Sequence, residues 1–228
     1  MKYSNVTEGI FISRPNRFIA NVLIDGKTEV CHVKNTGRCK ELLVPGVKVF
    51  LEKSDKAERK TKYDLICVQK GDILINIDSQ APNKVVYEWI QQGDFFKNVT
   101  IIKPETTYKN SRFDCYVEAD GEKIYVEVKG VTLEDNGVLM FPDAPTIRGV
   151  KHINELVDAV KNGYRGCIIF VAQMEMWEYF TPNRKMHPEF ADALVLAEKT
   201  GVEIICVNCK VLPYELKIDK LIKTIIKE

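Results

Sequence analysis

The apolar pattern changes character near SQAPNK, residues 79–84, and that change constrains the fold more than any other feature of the chain. Before it, EGIFI, RFIANVLID, TEVCHV, VKVFLEK, YDLICVQ and DILINID alternate or run apolar, each bounded by turn residues such as DG, PG and GD. So many short strands in about eighty residues suit a small closed barrel, because closure removes the exposed edges. A short helix is expected at GRCKELLVPG, where ELL precedes a Pro-Gly stop.

After the change, NKVVYEWIQQG has helical spacing, with Asn83 as its expected N-cap and Gly93 as its stop. A hairpin follows at 111–130 and a strand at VLMF, 138–141. TIRGVKHINELVDAVKNG, 146–163, places Val150, Ile153, Leu156, Val157 and Val160 on one helical face before Gly163. GCIIFVAQM and VEIICV read as fully buried strands, HPEFADALVLAEKTG as a helix and LKIDKLIKTIIKE as a terminal amphipathic helix. The pattern predicts an α+β protein of two domains. An all-β barrel spans residues 1–80, and an α/β layer with a mixed sheet spans 81–228. Trp89 and Trp177 are expected in the core or at the domain interface.

Lys and Arg number 33 against 32 Asp and Glu, which excludes a histone-like basic protein but permits a local basic groove. The first residues carry no apolar run of signal-peptide length, and nowhere do eighteen apolar residues run together, so no membrane partner is expected. Seven cysteines, an odd number in mostly apolar surroundings, point to reduced thiols and a cytoplasmic protein. The single CxxC, Cys206 to Cys209, lacks a second Cys or His pair and reads as structural.

SRFDCYVEADGEKIYVEVKGV, residues 111–131, holds the chemistry. With Asp120-Gly121 as a type I′ turn, Ala119 pairs with Glu122 and the count outward sets Cys115 against Val126 and Asp114 against Glu127. Phe113, Cys115, Val117, Ile124, Val126 and Val128 then form an apolar inward face. The other face sets Asp114 against Glu127, with Lys129 beside them. Cβ atoms of directly opposed residues lie roughly 4.5–5.5 Å apart, where like charges repel. A raised pKa on one carboxyl, a salt bridge from Lys129 or a bound divalent cation would each relieve that repulsion. A cation accounts for both acids and leaves Lys129 free, and one Asp with one Glu and several waters is a usual Mg²⁺ arrangement beside a phosphate. The corresponding chemistry is metal-assisted phosphodiester hydrolysis, with Lys129 orienting the nucleophile or neutralising developing charge.

An Asp on one strand followed by E-V-K on the next resembles the PD-(D/E)XK nuclease superfamily, although Phe113 rather than Pro precedes Asp114. More specifically, HVKNTGRCKELLVPGVKVFL, SRFDCYVE, YVEVKGVTL, FPDAPTIRGVKHINEL and the FTPN…HPEFADAL run resemble the sugar fermentation stimulation protein A family over nearly the full length. His187 and Gly130 depart from the expected pattern, the first where an acid and the second where a polar residue is commoner. The resemblance implies an N-terminal OB-like barrel, a C-terminal restriction-endonuclease-like domain and non-specific DNA binding, with RNA left open. It maps Asp114 and Glu127 to metal ligands for Mg²⁺ or Mn²⁺, Lys129 to the catalytic lysine and Glu88 to an additional acid.

Arg148, Lys151 and His152 share one flank at the start of a helix and form a candidate phosphate clamp, with a buried, satisfied histidine as the other reading of His152. In the barrel, Arg14, Arg17, Arg38 and Lys40 are candidate phosphate contacts. Two functions follow: a DNA-binding, metal-dependent nuclease, or a DNA-binding regulator of sugar metabolism that keeps a nuclease fold without cutting.

Overall fold

A computed structural model describes residues 1–227 apart from Thr36, Ala57, Met176 and Trp177. Trp177 therefore lies outside the described residues.

Six strands open the chain: β1 (Val6–Asn16), β2 (Ile19–Ile24), β3 (Lys27–Val33), β4 (Lys48–Lys53), β5 (Tyr63–Lys70) and β6 (Ile73–Asn76). β1 pairs antiparallel with β2 and β4, β2 with β3, and β4 with β5. A short parallel pairing of His32 with Asp64 and Val33 with Leu65 joins β3 to β5 and closes a five-stranded barrel. Its period-two residues point inward as the alternation requires, with Ala20, Val22 and Ile24 of β2 all buried. The helix expected at 37–46 does not form. The Leu42 and Leu43 N–H groups both donate to the Cys39 carbonyl, Cys39 sits at φ 46°, and the segment is a turn whose two leucines are buried in the core. A segment this short repays helix nucleation poorly, and burial of the leucines needs only the turn.

The second half holds α1 (Ala81–Gln91), β7 (Val99–Tyr108), β8 (Ser111–Ala119), β9 (Glu122–Val131), β10 (Leu133–Asp135), β11 (Val138–Phe141), α2 (Ile147–Lys161), β12 (Arg165–Ala172), β13 (Tyr179–Pro182), α3 (Pro188–Thr200), β14 (Glu203–Leu212) and β15 (Glu215–Thr224). Nine strands form one mixed sheet in the order β10-β11-β13-β15-β14-β12-β9-β8-β7, with β9, β12 and β14 parallel. Helices cover both faces. Val85, Val86 and Ile90 of α1 share a core with Cys115, Val117, Val126 and Val128, whereas Ile153 and Leu156 of α2 pack with Phe113, Tyr125, Ile168 and Phe170. Burial on both faces explains why β12 is a continuous apolar run.

Two elements depart from the sequence pattern. Residues 216–228 were expected as a helix, but through Thr224 they form β15, antiparallel to β14 and parallel to β13. Leu216 and Ile222 bury in the cores on opposite faces of the sheet, across the register shift in the β14–β15 pair, and two neighbouring strands supply backbone partners that outweigh helical spacing in a segment rich in β-branched Ile. The edge strand β7 was not anticipated; its Pro104 is tolerated because an edge strand needs partners on one side only. Asn83 is not a cap: α1 starts two residues earlier, with Pro82 in its first turn.

A buried polar joint ties the barrel to the sheet. Gln173, just past β12, donates to Asn76 Oδ1 at 2.7 Å and to the Asp78 carbonyl at 3.0 Å. Asn76 donates to the Tyr3 hydroxyl, and Lys34 pairs with the fully buried Asp78 at 2.9 Å. All seven cysteines are buried and unbridged. Cys206 and Cys209 belong to cores on opposite faces of the sheet, separated by a register shift in β14.

Candidate functional site

The Asp120-Gly121 turn has both residues at positive φ, and the β8–β9 ladder runs from Ala119–Glu122 to Cys115–Val126 in the register that the turn dictates. There it ends. The Asp114 carboxylate takes the place that a strand carbonyl would fill, accepting the Val128 N–H at 2.8 Å. The side-chain alternation breaks at the same point. Phe113, expected beside Cys115, packs instead on the α2 face, 5.3 Å from Tyr125 and 6.2 Å from His152 between ring centroids. With both sheet faces covered there is no single inward face, and the parting of the strands at Asp114 lets Phe113 turn over.

Asp114 lines a cleft of about 580 Å³ beside α1, and its other oxygen accepts from Asn83 Nδ2 at 2.8 Å. Burial pushes its carboxyl above the usual range and the Glu127 charge adds to this, while Val128 N–H, Lys129 and Asn83 offset only part. Glu127 is 1% exposed. Its Oε1 is held by the Lys129 ammonium and by His152 Nδ1 at 2.5 Å. Burial alone would raise this carboxyl, but the His152 hydrogen bond and the Lys129 charge bring it below the usual range. Glu127 Oε2 is buried with no hydrogen-bond partner among the described residues.

The expectation of a free Lys129 is therefore corrected: the lysine, 18% exposed, sits on Glu127. Gly130, the departure noted after the E-V-K run, has a steric reason, since a Cβ there would lie 2.6 Å from Gln173 Oε1 and 2.8 Å from Pro82. Glu88 lines the Asp114 cleft, but its carboxylate is 2.8 Å from the Met1 ammonium. Among the described residues no group of three His, Cys, Asp or Glu side chains is arranged to hold a metal ion. What fits a cation is the Asp114–Glu127 pair: two interacting acids, one with an oxygen that none of the described residues satisfies. Two carboxylate donors with the remaining positions left to water match Mg²⁺-type coordination.

The expected clamp on α2 separates into its parts. His152 is buried, tied to Glu127 on one side and accepting from Arg148 Nε at 3.3 Å on the other. Lys151 turns away to the Asn110 carbonyl at 2.7 Å. Spacing placed all three on one flank but could not show that β9 runs beneath His152. In the barrel, Arg14 is corrected from a phosphate contact to a staple: its guanidinium donates to the carbonyls of Arg17, Asn35, Gly37 and Arg38. Arg17, Arg38 and Lys40 line a surface groove of about 530 Å³ beside Phe18, over which the Arg17 guanidinium lies at 5.2 Å.

Family profiles match both halves. One, described as the SfsA N-terminal OB domain, covers residues 12–77, and the other, the sugar fermentation stimulation protein RE domain, covers residues 80–215. The chain belongs to the sugar fermentation stimulation protein family. A curated homolog in this family, from Ruminiclostridium cellulolyticum, is 57% identical over 98% of this chain and 99% of its own length. Another, from Desulfitobacterium hafniense, is 61% identical over 92% of each chain. Among solved structures, Pyrococcus furiosus SfsA in complex with Ca²⁺ superposes with a TM-score of 0.91 at 30% identity, covering 99% of this chain and 98% of that one. The acidic pair and Lys129 fall within the family's RE domain, and the Arg17–Arg38–Lys40 groove falls within its OB domain. No helix among the described residues is long and apolar enough to cross a membrane.

Proposed function

We infer that this protein binds nucleic acid, foremost DNA, and hydrolyses phosphodiester bonds with a divalent cation, Mg²⁺ or Mn²⁺, held by Asp114 and Glu127. The observation that carries this reading is Glu127 Oε2, a buried carboxylate oxygen without a partner in a pair of interacting acids. Leaving such an oxygen empty costs about 1–3 kcal/mol or more, a cost that a bound cation removes. The solved Ca²⁺ complex of the Pyrococcus furiosus relative supports a divalent ion in this family.

When bound, the ion would polarise the phosphodiester and acidify a coordinated water. Asp114 supplies the donor at the cleft wall, and Asn83 with the Val128 N–H fixes its plane. Lys129 stands next to Glu127 and remains partly exposed, so its ammonium can orient the attacking water or offset charge growing on the phosphate. Arg17, Arg38 and Lys40 supply phosphate contacts on the barrel side, with affinity that falls as salt rises.

The test is cleavage of single- and double-stranded DNA and RNA with Mg²⁺ or Mn²⁺ by the wild type, Asp114→Asn and Lys129→Met. Metal-dependent cutting that drops by about 100-fold or more in both variants supports hydrolysis. Binding that persists in every protein without any cutting overturns it and leaves a non-hydrolytic DNA-binding regulator. Substituting Arg38 or Lys40 with Ala should lower the salt slope of binding by about one each.

A further inference from the structure

We propose that His152 is a positioning residue for the cation site: it holds Glu127 by one oxygen so that the other is left for the ion, and Arg148, donating to the far ring nitrogen, braces the imidazole in that position. The inference rests on the cation reading above and adds a role outside the acidic pair and Lys129.

The hydrogen-bond pattern settles which imidazole nitrogen carries the proton. A guanidinium only donates, so His152 Nε2, 3.3 Å from Arg148 Nε, is the acceptor. The ring proton of a neutral His152 then lies on Nδ1, which is 2.5 Å from Glu127 Oε1. The ring cannot easily turn away. It is 6% exposed, meets the Phe113 ring edge-on at 6.2 Å, and stands on a helix whose first turn is closed by Thr146 Oγ1 accepting the Gly149 N–H.

Lys129 and His152 converge on the same oxygen, Oε1, while Oε2 receives nothing. A carboxylate serving only as counter-ion to Lys129 would gain by sharing its two oxygens between its two donors. Crowding both donors onto one oxygen instead leaves the second, buried oxygen without a donor among the described residues. Groups of this kind, hydrogen-bonded to a metal's direct ligands, typically alter metal affinity by about 10–100-fold when removed.

Calorimetric titration of Mn²⁺ into the full chain tests the inference, with wild type, Glu127→Gln, His152→Ala, His152→Asn and Arg148→Met compared and circular dichroism confirming the fold of each. Wild type should bind, and Glu127→Gln should not. His152→Ala should bind about 10–100-fold more weakly, and His152→Asn, whose amide N–H can replace the Nδ1 proton, should recover most of that loss. Arg148 is exposed, so Arg148→Met keeps the fold and carries the test should the His152 variants not fold. It should lower affinity several-fold, and the imidazole ¹⁵N spectrum should keep the Nδ1–H form that Glu127 dictates while that proton exchanges faster with solvent as the ring loosens. Wild-type affinity in His152→Ala, or in Arg148→Met with the Nδ1 proton exchanging faster, would overturn the positioning role alone. No Mn²⁺ binding by the wild type would overturn the cation site and this role with it.

Discussion

Asp114 and Glu127 are neighbouring acids that the protein treats in opposite ways, and their responses to pH should differ in sign. The Asp114 carboxyl is held above its ordinary value of 3.8, so its ionised form costs stability at neutral pH, a cost relieved as pH falls below the folded value. Asparagine at this position can accept the Val128 N–H and, with the Asn83 amide turned over, donate to it, so both bonds survive without the charge. In chelator, Asp114→Asn should match or exceed the wild-type melting midpoint by about 2–4 °C at pH 7, the advantage vanishing toward pH 4. Glu127, held below its ordinary value of 4.5, contributes stability above that value and loses it in acid. Glu127→Ala should cost about 3 kcal/mol at pH 7 by stranding Lys129 and His152. A midpoint for Asp114→Asn well below wild type would show that the charge itself holds α1 to β8. The turn count was legible as far as Cys115–Val126; the pairing of Asp114 with Glu127 expected from it does not form, because the Asp114 carboxylate replaces the ladder there. The place of His152 was not legible, since helical spacing names a flank without showing which strand lies under it.

Among the elements, β9 is the most constrained, because it carries Glu127 and Lys129 and then passes between α1 and the end of β12. Gly130→Ala would push a methyl against Pro82, whose ring cannot yield, and against Gln173, whose amide is already bonded to Asn76 and Asp78. The expected cost is about 1–3 kcal/mol in urea denaturation. A change under about 0.5 kcal/mol would mean that α1 and β12 separate freely there. The strands and helices with one strong period were readable in advance: β12 from its unbroken apolar run, α2 and α3 from their stripes and their closing Gly163 and Gly201. β15 misled because its apolar residues also fit a helical stripe and only the neighbouring strands decide between the two. The apolar alternation of β8 was readable as far as Cys115 and failed at Phe113, where backbone pairing gives way to the Asp114 carboxylate.

At the scale of the whole molecule, barrel and sheet are joined through hydrogen bonds as well as apolar contact. Gln173→Ala would remove one of two donors from Asn76 Oδ1 and from the buried Asp78 carbonyl, which keep the Asp78 and Ala81 N–H groups, and would open a small void. It should lower stability by about 3 kcal/mol. Urea melts followed by tryptophan fluorescence, whose reporters Trp89 and Trp177 both lie in the second half of the sequence, and by far-ultraviolet circular dichroism, which reports all elements, should shift together. A shift confined to one probe would show that the two halves unfold independently. The change near residue 80 was visible in the sequence as a switch of period, but the joint was not. It draws on Tyr3, Lys34, Asn76, Asp78 and Gln173, five residues that no local pattern connects.

Every thiol in the chain is enclosed, with Cys31, Cys39 and Cys67 in the barrel half and Cys115, Cys167, Cys206 and Cys209 in the sheet half. An alkylating reagent therefore finds no target until some part of the chain opens, and each half carries its own reporters of that event. Mass spectrometry of which cysteines become modified first, and how fast, would time the breathing of each half in the unmutated protein without any attached label.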